Sequence, residues 1–316
     1  VDGVSTVIEN GQHNRIQFGN LSILPNAAMA DLAYREEHGM ETVFTPILNM
    51  HGVLSDPDDD VQELQELVVA TKTMPRDQWR KARAFAWMTA FLHFDKLLQI
   101  PLIVMNATTG IRYRHMVEAF LDAAAETYPV TAKVAHHFLT RAGDIQNGGS
   151  EFCHSATWLD VWWPDDEYMF IDLSVSGRMP VFYDEARQIL STLAHDQGHA
   201  ALPAAVGDAI TLNAAAINQP GDATDVVVET KTNPLEIYRD QLRGNPPEEM
   251  TGAFNYRVER SVGGADRMAQ LVPGDCLVRE QERCLYPPHP TQIDSNFLTI
   301  FTDFLRRLTT SVSSNA

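Results

Sequence analysis

The sequence predicts an α+β protein that is mainly helical and contains a few strands. From about residue 75 onwards, apolar residues recur at three- and four-residue steps, the spacing of a helix with one buried face. Shorter segments, such as Val226 to Thr230, alternate apolar and polar residues as strands do. The chain has 316 residues, 44% of them hydrophobic, and this is enough for one large core or two smaller ones.

The first predicted elements are a short helix and then a strand from about Ile16 to Leu24, which Pro25 and Asn26 end. Extended segments are predicted from Glu41 to Met50 and from Leu64 to Ala70, on either side of a polar, acidic loop. A helix followed by a strand is the order of a repeating α/β unit that has been entered midway.

Helices are predicted to dominate the middle of the chain. Pro75 suits the first helical position, and the run that follows is apolar on nearly all sides after Ala82, which indicates a buried helix. Pro101 is expected to end this helix. Later helices are predicted over Tyr113 to Ala124, Thr131 to Ala142 and Phe182 to Leu193, and between Pro203 and Pro220.

A strand–helix–strand unit is predicted near residues 226–258. Its strands are Val226 to Thr230 and Phe254 to Val258. The helix between them is predicted to begin with Asn233 as the N-cap, Pro234 as the first helical residue and Glu236 at the capping-box position. The sequence leaves the pairing of the two strands open.

Charge and composition argue against several classes of function. The formal net charge is −18 and there is no basic patch, which argues against nucleic-acid binding. There is no run of about 18 apolar residues and no secretory signal, so neither a membrane span nor secretion is predicted. Three cysteines do not suggest a disulfide framework, so we expect a reducing compartment and a cytoplasmic location.

Several stretches of the chain, taken in order, resemble cobalamin-binding radical S-adenosylmethionine (SAM) proteins. They are GNLSILPNAAMADLAYREEHGMETV, ELVVATKTMPRDQWRKARAFAWMTAFLHFDKLLQIP, WWPDDEYMFIDL, DAITLNAAAINQP and NPLEIYRDQLRGNPPEEMTGAFNYRVER, and the resemblance covers about residues 1 to 260. It implies that residues 1–26 are the last helix–strand element of a radical SAM α/β barrel. Residues 27–260 would form a helical C-terminal domain with a few strands, and residues 261–316 a poorly matched extension with a polar tail.

The resemblance also implies a function for a longer parent protein, which would be a radical methyltransferase or a related radical enzyme. The parent would bind a [4Fe–4S] iron–sulfur cluster, SAM and cobalamin, and this chain would cap the barrel and shape the pocket for a small-molecule substrate. Family members hold the cluster through a C-x3-C-x2-C motif, whereas Cys153, Cys276 and Cys284 are too far apart to form it. We therefore expect the chain alone to be inactive and to bind none of these cofactors, with the upstream barrel and cobalamin-binding domains of the same polypeptide as its partners.

A second hypothesis is a metal-dependent phosphohydrolase of the histidine–aspartate type. An adjacent His-Asp pair at His195 and Asp196, with His199 four residues after the first histidine, offers metal ligands that could activate a water. Further ligands would be His136 or His137 upstream and Asp208 or Asp222 downstream. The alternative interpretation is a solvent-exposed helix end near Gly198. A third hypothesis is a non-catalytic helical binding module.

Five other residues are candidates for a site, and each also has a purely structural interpretation. Trp162 and Trp163 could form a pocket wall or belong to the core. His93 lies in an apolar run and could carry protons or be a buried core histidine. Asn26 follows the proposed last barrel strand, where ligands bind, but it also suits a turn. Cys153, next to His154, could be an activated thiol or a structural cysteine.

Overall fold

The computed structural model describes residues 1–52, 63–217 and 224–258, together with the backbone of residues 278–279. Its helices are α1 (Asp2–Glu9), α2 (Leu32–His38), α3 (Arg76–Thr89), α4 (Gln99–Thr109), α5 (Tyr113–Leu121), α6 (Pro129–Gln146), α7 (Asp165–Val175), α8 (Met179–Asp196), α9 (Ala204–Ala216) and α10 (Pro234–Arg243). Its strands are β1 (Ser22–Ile23), β2 (Glu41–Pro46), β3 (Leu64–Ala70), β4 (Cys153–Ser155), β5 (Val161–Trp163), β6 (Val226–Thr232), β7 (Thr251–Val258) and β8 (Val278–Arg279). A 3-10 turn at Ala28–Ala30 precedes α2, and a π turn at Ala90–Phe94 follows α3.

Within the described ranges the strands form three small antiparallel sheets. In the first sheet β3 lies between β1 and β2, the second is the pair β4 and β5, and in the third β7 lies between β6 and β8. Strand β6, helix α10 and strand β7 are the predicted strand–helix–strand unit, and its two strands pair antiparallel. The structure is therefore α+β and mainly helical, with the sheets around a helical body.

The centre of the helical body is aromatic. Phe91 of the π turn, Phe120 of α5, Phe138 of α6 and Phe182 of α8 are all fully buried. The Phe91 ring lies edge-on to Phe138 and to Phe182, with ring centroids 6.1 and 5.6 Å apart. Burial of one such side chain stabilises the fold by about 1.5–3 kcal/mol, so this cluster anchors helices that are distant in sequence.

The predicted long helix is interrupted by the π turn. The amide of Asp95 donates to the carbonyl of Ala90, five residues back, and a new helix, α4, begins at Gln99 after a bend of 94°. The prediction that Pro101 ends the helix is wrong. Pro101 instead occupies the first turn of α4, where a missing amide hydrogen breaks no helical hydrogen bond.

The bent pair of α3 and α4 also bears on membrane insertion. In the described ranges no single helix is long and apolar enough to cross a membrane. Helix α3 with the π turn, taken together with α4, passes that test by length and composition only.

Residues 1–23, which we call the N-terminal segment, lie across the helical body. Helix α1 packs on α5 and buries Ile8, while β1 pairs with β3. The strand predicted from Ile16 to Leu24 is reduced to Ser22–Ile23, and Ile16 and Phe18 pack against the core of the helical body. The assignment of residues 1–26 to a barrel stays a prediction.

The start of α10 differs from the predicted capping box. Asn233 is the N-cap residue, but its side chain makes no cap hydrogen bond. Its amide donates to the carbonyl of Glu248 and accepts from the amide of Met250, while the Glu236 carboxylate accepts from the Tyr256 hydroxyl. These polar side chains therefore bind residues in β7 and in the segment before it, and they do not cap the start of α10.

Candidate functional site

Three consecutive acidic residues open helix α7. Asp165, Asp166 and Glu167 follow Pro164, and their exposed fractions are 0%, 3% and 5%. We call them the acidic triplet. The amide dipoles at a helix N-terminus favour negative charge, which explains why acids are tolerated here. Burial of three carboxylates in a largely apolar interior nevertheless requires cationic or hydrogen-bonding partners. The acidic triplet and the side chains that contact it are called the polar centre.

The first half of the polar centre is organised by Arg15 from the N-terminal segment. Its guanidinium lies 3.0 Å from Asp95, 3.4 Å from Asp166 and 2.9 Å from Glu167. Asp95 immediately follows the π turn and is itself buried. One positive charge therefore serves three carboxyl groups from two different elements.

This ratio of charges keeps a proton in the polar centre. Burial raises the pKa of Asp95 well above its usual range, against the opposing effect of Arg15, and the nearby charges of Asp166 and Glu167 raise it further. Burial likewise raises the pKa of Asp166 to about 6, again opposed by Arg15. A carboxyl pair held in this way shares a proton, and we assign that proton to Asp95.

His51 completes the contacts of Glu167. Its Nε2 lies 2.6 Å from the Glu167 Oε2, and its backbone amide donates to the carbonyl of Trp162 at 2.7 Å. The φ of His51 is 59°, a left-handed conformation that costs on the order of 1 kcal/mol or more for a residue other than glycine. Surrounding contacts hold this strained residue against the polar centre.

The two candidate tryptophans lie in β5, directly before the acidic triplet. Trp163 is fully buried, its ring lies edge-on to His51, and its Nε1 donates to the carbonyl of Trp158. Trp162 is partly exposed, its ring packs on His154, and its Nε1 has no hydrogen-bond partner. Of the two, Trp162 alone retains surface that a ligand could contact, and its role as a pocket wall stays a prediction.

His93, in the π turn, is fully buried and faces His13 of the N-terminal segment. The Nε2 of His93 lies 3.2 Å from the Nδ1 of His13. Burial lowers the pKa of both imidazoles, and the nearby His13 lowers that of His93 further. The rings are therefore neutral at pH 7, and one donates a hydrogen bond to the other. The Nδ1 of His93 is buried without a partner.

The second half of the polar centre surrounds Asp165. Its Oδ1 lies 3.0 Å from the His137 Nε2, 3.0 Å from the Arg141 Nε and 2.9 Å from the Cys153 Sγ. His137, Cys153 and Asp165 offer ligand atoms that all lie within 4.8 Å of one another. Among the described residues this is the only such group of three potential metal ligands.

The environment of Cys153 does not activate its thiol. Burial raises the pKa of Cys153, and the negative charge of Asp165 raises it further, so the sulfur stays protonated. Its sequence neighbour His154 does not assist it, since the His154 Nε2 lies 3.0 Å from Asp160 instead. The partners of Cys153 are His137 and Asp165.

The predicted histidine–aspartate site lies at the surface. The side chains of His195 and Asp196 are 79% and 67% exposed, with 3.7 Å between the His195 Nδ1 and the Asp196 Oδ1. His136 is exposed and His199 partly so. Asp208 accepts hydrogen bonds from the amides of Lys231 and Thr232. Asp222 lies outside the described residues. Elsewhere in the described ranges, no third ligand joins this pair.

Asn26 occupies a turn, as its structural interpretation expected. The carbonyl of Leu24 accepts from the amide of Ala27, and the Asn26 side chain between them is exposed. Its role in cofactor binding stays a prediction.

Three features of the site were not predicted from the sequence: the acidic triplet, Arg15, which contacts it, and His13, which contacts His93. One signal for the triplet was present: three consecutive acids directly after a proline and before an apolar run mark a helix start. Arg15 and His13 lie in a polar stretch and had no comparable signal.

Comparison with known proteins gives partial support for a family relationship. No family model matches the chain. The chain is similar to the cobalamin-dependent radical SAM methyltransferase TokK of Streptomyces tokunonensis, with 31% identity over 121 residues. The match covers 38% of this chain and 17% of the methyltransferase. It supports, over that part of the chain, a relationship to cobalamin-dependent radical SAM proteins.

Proposed function

We propose that this chain is the C-terminal portion of a cobalamin-dependent radical SAM enzyme, in which it caps the barrel and shapes the pocket for a small-molecule substrate. The observation that carries the proposal is the 31% identity to the methyltransferase TokK over 121 residues. By this relationship the parent enzyme transfers a methyl group or performs a related radical reaction. A cytoplasmic location belongs to the same proposal.

The residues that the structure describes do not fit an iron–sulfur cluster. Such a cluster needs three closely spaced thiolates. The described part of the chain contains one cysteine, Cys153, and its thiol donates a hydrogen bond to Asp165. We therefore place the cluster, SAM and cobalamin on other domains of the parent, and we assign no step of the radical chemistry to this chain.

The N-terminal segment supports a role as a rigid cap. In the proposal this segment belongs to the last helix–strand element of the barrel, and it is fixed to the helical body by half-buried contacts along its length. Gln99 donates to the carbonyl of His13 at 2.9 Å, Arg83 donates to the carbonyl of Phe18, and Asn20 donates to Glu151 at 2.6 Å. With the contacts of Arg15, they favour a fixed orientation over a flexible tether.

The proposal is tested on the native polypeptide in its source. An antibody against the described helical body isolates the protein, and its mass and its iron and cobalt contents are then measured. We expect a polypeptide far larger than 35.3 kDa that contains both metals. A native mass near 35.3 kDa with neither metal contradicts the proposal and leaves a binding module or the His195–Asp196 site to be tested.

A further inference from the structure

The half of the polar centre around Asp165 brings three different metal-binding side chains together. We propose that His137, Cys153 and Asp165 form a site for one divalent transition-metal ion of the zinc type. The proposal uses only residues of this chain and is independent of its proposed place in a radical enzyme.

The distances between the ligand atoms are close to those of a tetrahedral site. Zinc bonds of about 2.0–2.3 Å place neighbouring ligand atoms roughly 3.3–3.8 Å apart. The Cys153 Sγ and the His137 Nε2 already lie 3.8 Å apart. The distances from the Asp165 Oδ1 to the His137 Nε2 and to the Cys153 Sγ are 3.0 and 2.9 Å. These two must open by about half an ångström, within the reach of small side-chain rotations.

A separate observation is that one oxygen of the Asp165 carboxylate, Oδ2, lacks a partner. The residue is completely buried, and its Oδ2 makes no hydrogen bond, whereas its Oδ1 is shared by His137, Arg141 and Cys153. A buried carboxylate oxygen without a partner is unfavourable, because nothing replaces the hydrogen bonds it would make to water. Coordination of a cation supplies the missing partner when the carboxylate binds the ion through both oxygens, and Oδ1 can keep its bond to Arg141.

The residues around the three ligands hold them in place, as the hydrogen-bonding neighbours of metal ligands do in known sites. The His137 ring stacks on Tyr168, with centroids 5.4 Å apart and an interplanar angle of 6°. Arg141 is held by the carbonyls of Ser150 and Phe152 at 2.9 and 3.0 Å while its Nε donates to Asp165. The three ligands come from α6, β4 and α7, so the tertiary fold and not a local loop assembles the site.

The types of ligand select the class of ion. Thiolate and imidazole favour zinc and cobalt over calcium and magnesium, which prefer oxygen ligands. On binding, the S–H bond of Cys153 breaks, its proton passes to solvent, and a sulfur–metal bond forms. His137 and Cys153 are both partly exposed, so a fourth position is open to water or to a small ligand.

The test is a cobalt titration of the 316-residue chain carrying Cys276→Ser and Cys284→Ser, so that Cys153 is the remaining thiol. We expect one Co2+ per chain, the visible spectrum of a four-coordinate ion and a near-ultraviolet thiolate-to-cobalt band, all removed by added Zn2+. In this background His137→Ala is expected to weaken binding at least tenfold. The matched variant His136→Ala, which changes the exposed neighbour, is expected to bind unchanged.

Two results overturn the proposal. One is the absence of a thiolate-to-cobalt band in the chain that retains Cys153. The other is equal binding by the His137→Ala and His136→Ala variants. If His137→Ala does not fold by circular dichroism, X-ray absorption of the zinc-loaded parent variant decides. A zinc–sulfur distance of about 2.3 Å supports the site, and a shell of nitrogen and oxygen alone excludes it.

Discussion

At the scale of single residues, the polar centre has fewer cations than carboxyl groups. Arg15 contacts Asp95, Asp166 and Glu167, all of them buried. A full set of charged carboxylates would leave the interior with an excess of negative charge. Burial raises the pKa of Asp95, which favours its neutral form and so limits this excess.

This arrangement predicts an unusual dependence of stability on pH. Since the pKa of Asp95 is higher in the folded than in the unfolded chain, its contribution is full below the ordinary pKa of 3.8 and is lost as pH rises through the folded value. We expect Asp95→Asn, which mimics the protonated acid, to remove that part of the dependence. The free energy of unfolding, from urea titrations between pH 4 and 8, should fall less steeply with pH in the variant.

The exposed Asp122 provides the control for that comparison. Asp122→Asn is expected to keep the wild-type pH profile. Parallel profiles for wild type and Asp95→Asn would contradict the assignment of the retained proton to Asp95.

For single residues, the sequence predicted burial or exposure correctly where the neighbouring residues alone determined it. The apolar neighbours of His93 predicted its burial, and the position of His195 off the apolar stripe predicted its exposure. The contact partners of the polar side chains could not be predicted, because Arg15 and His13 contact residues that are 80 or more positions away in the sequence. Sequence periodicity describes which side of an element is buried but not which distant polar group meets it.

At the scale of elements, helix α6 is capped by another helix. Its own N-cap residue, Tyr128, provides no side-chain hydrogen bond. The carboxylate of Glu185 in α8 accepts from the amides of Val130 at 3.0 Å and Thr131 at 2.7 Å. These amides have no partner within the helix, and the negative charge also suits the positive end of its dipole. The two hydrogen bonds that cap α6 therefore also connect it to α8.

Removal of this cap is expected to be costly because Glu185 is buried. We predict that Glu185→Ala lowers the free energy of unfolding by about 2–4 kcal/mol and Glu185→Gln by about 1–2 kcal/mol. Urea denaturation measures both. The neighbouring Asp184 is exposed, and Asp184→Asn should stay within about 0.5 kcal/mol of wild type. Equal effects at the two positions would refute the capping role.

Most helices were predictable from sequence, while their interruptions and caps were not. The apolar stripe from Phe182 to Leu193 predicted α8, and Pro234 marked the start of α10. The π turn was missed, because a continuous apolar run gives no sign that one hydrogen bond spans five residues. Asn233 fits the preference for N-cap residues, but tertiary contacts use its side chain elsewhere.

At the scale of the whole molecule, the N-terminal segment has an inner and an outer set of contacts. The inner set is the polar centre, where Arg15 lies against buried carboxylates. The outer set is at the surface, where Arg112 of the body lies 3.0 Å from Glu9 of α1. Exposed ion pairs contribute little to stability, whereas loss of one partner from a buried group leaves an uncompensated charge.

The two sets therefore predict different losses on substitution. Arg15 is 40% exposed, so we expect Arg15→Ala to cost about 2–3 kcal/mol at pH 7, somewhat less than for a fully buried pair. Arg112→Ala should cost less than about 1 kcal/mol. Urea denaturation of both variants, together with limited proteolysis of the N-terminal segment, checks this. Comparable losses for the two variants would contradict the distinction between inner and outer contacts.

The architecture as a whole was predictable only in class. Periodicity indicated an α+β chain dominated by helices, and the described residues have that composition. The three small sheets and the path of the N-terminal segment depend on contacts between distant residues, such as β1 with β3. No local pattern encodes such pairings, and the boundary of the proposed barrel element stays a prediction for the same reason.

The position of Arg15 in the sequence also determines how long before its partners it is synthesised. Arg15 and Asp166 are 151 residues apart. A ribosome adds roughly 5–20 residues per second, so Arg15 is made roughly 8–30 seconds before helix α7 can receive it. During that interval the stretch around Arg15, which reads GQHNRIQ, is polar enough to remain in water. The residues of the N-terminal segment are thus made well before the partners that fix them in place.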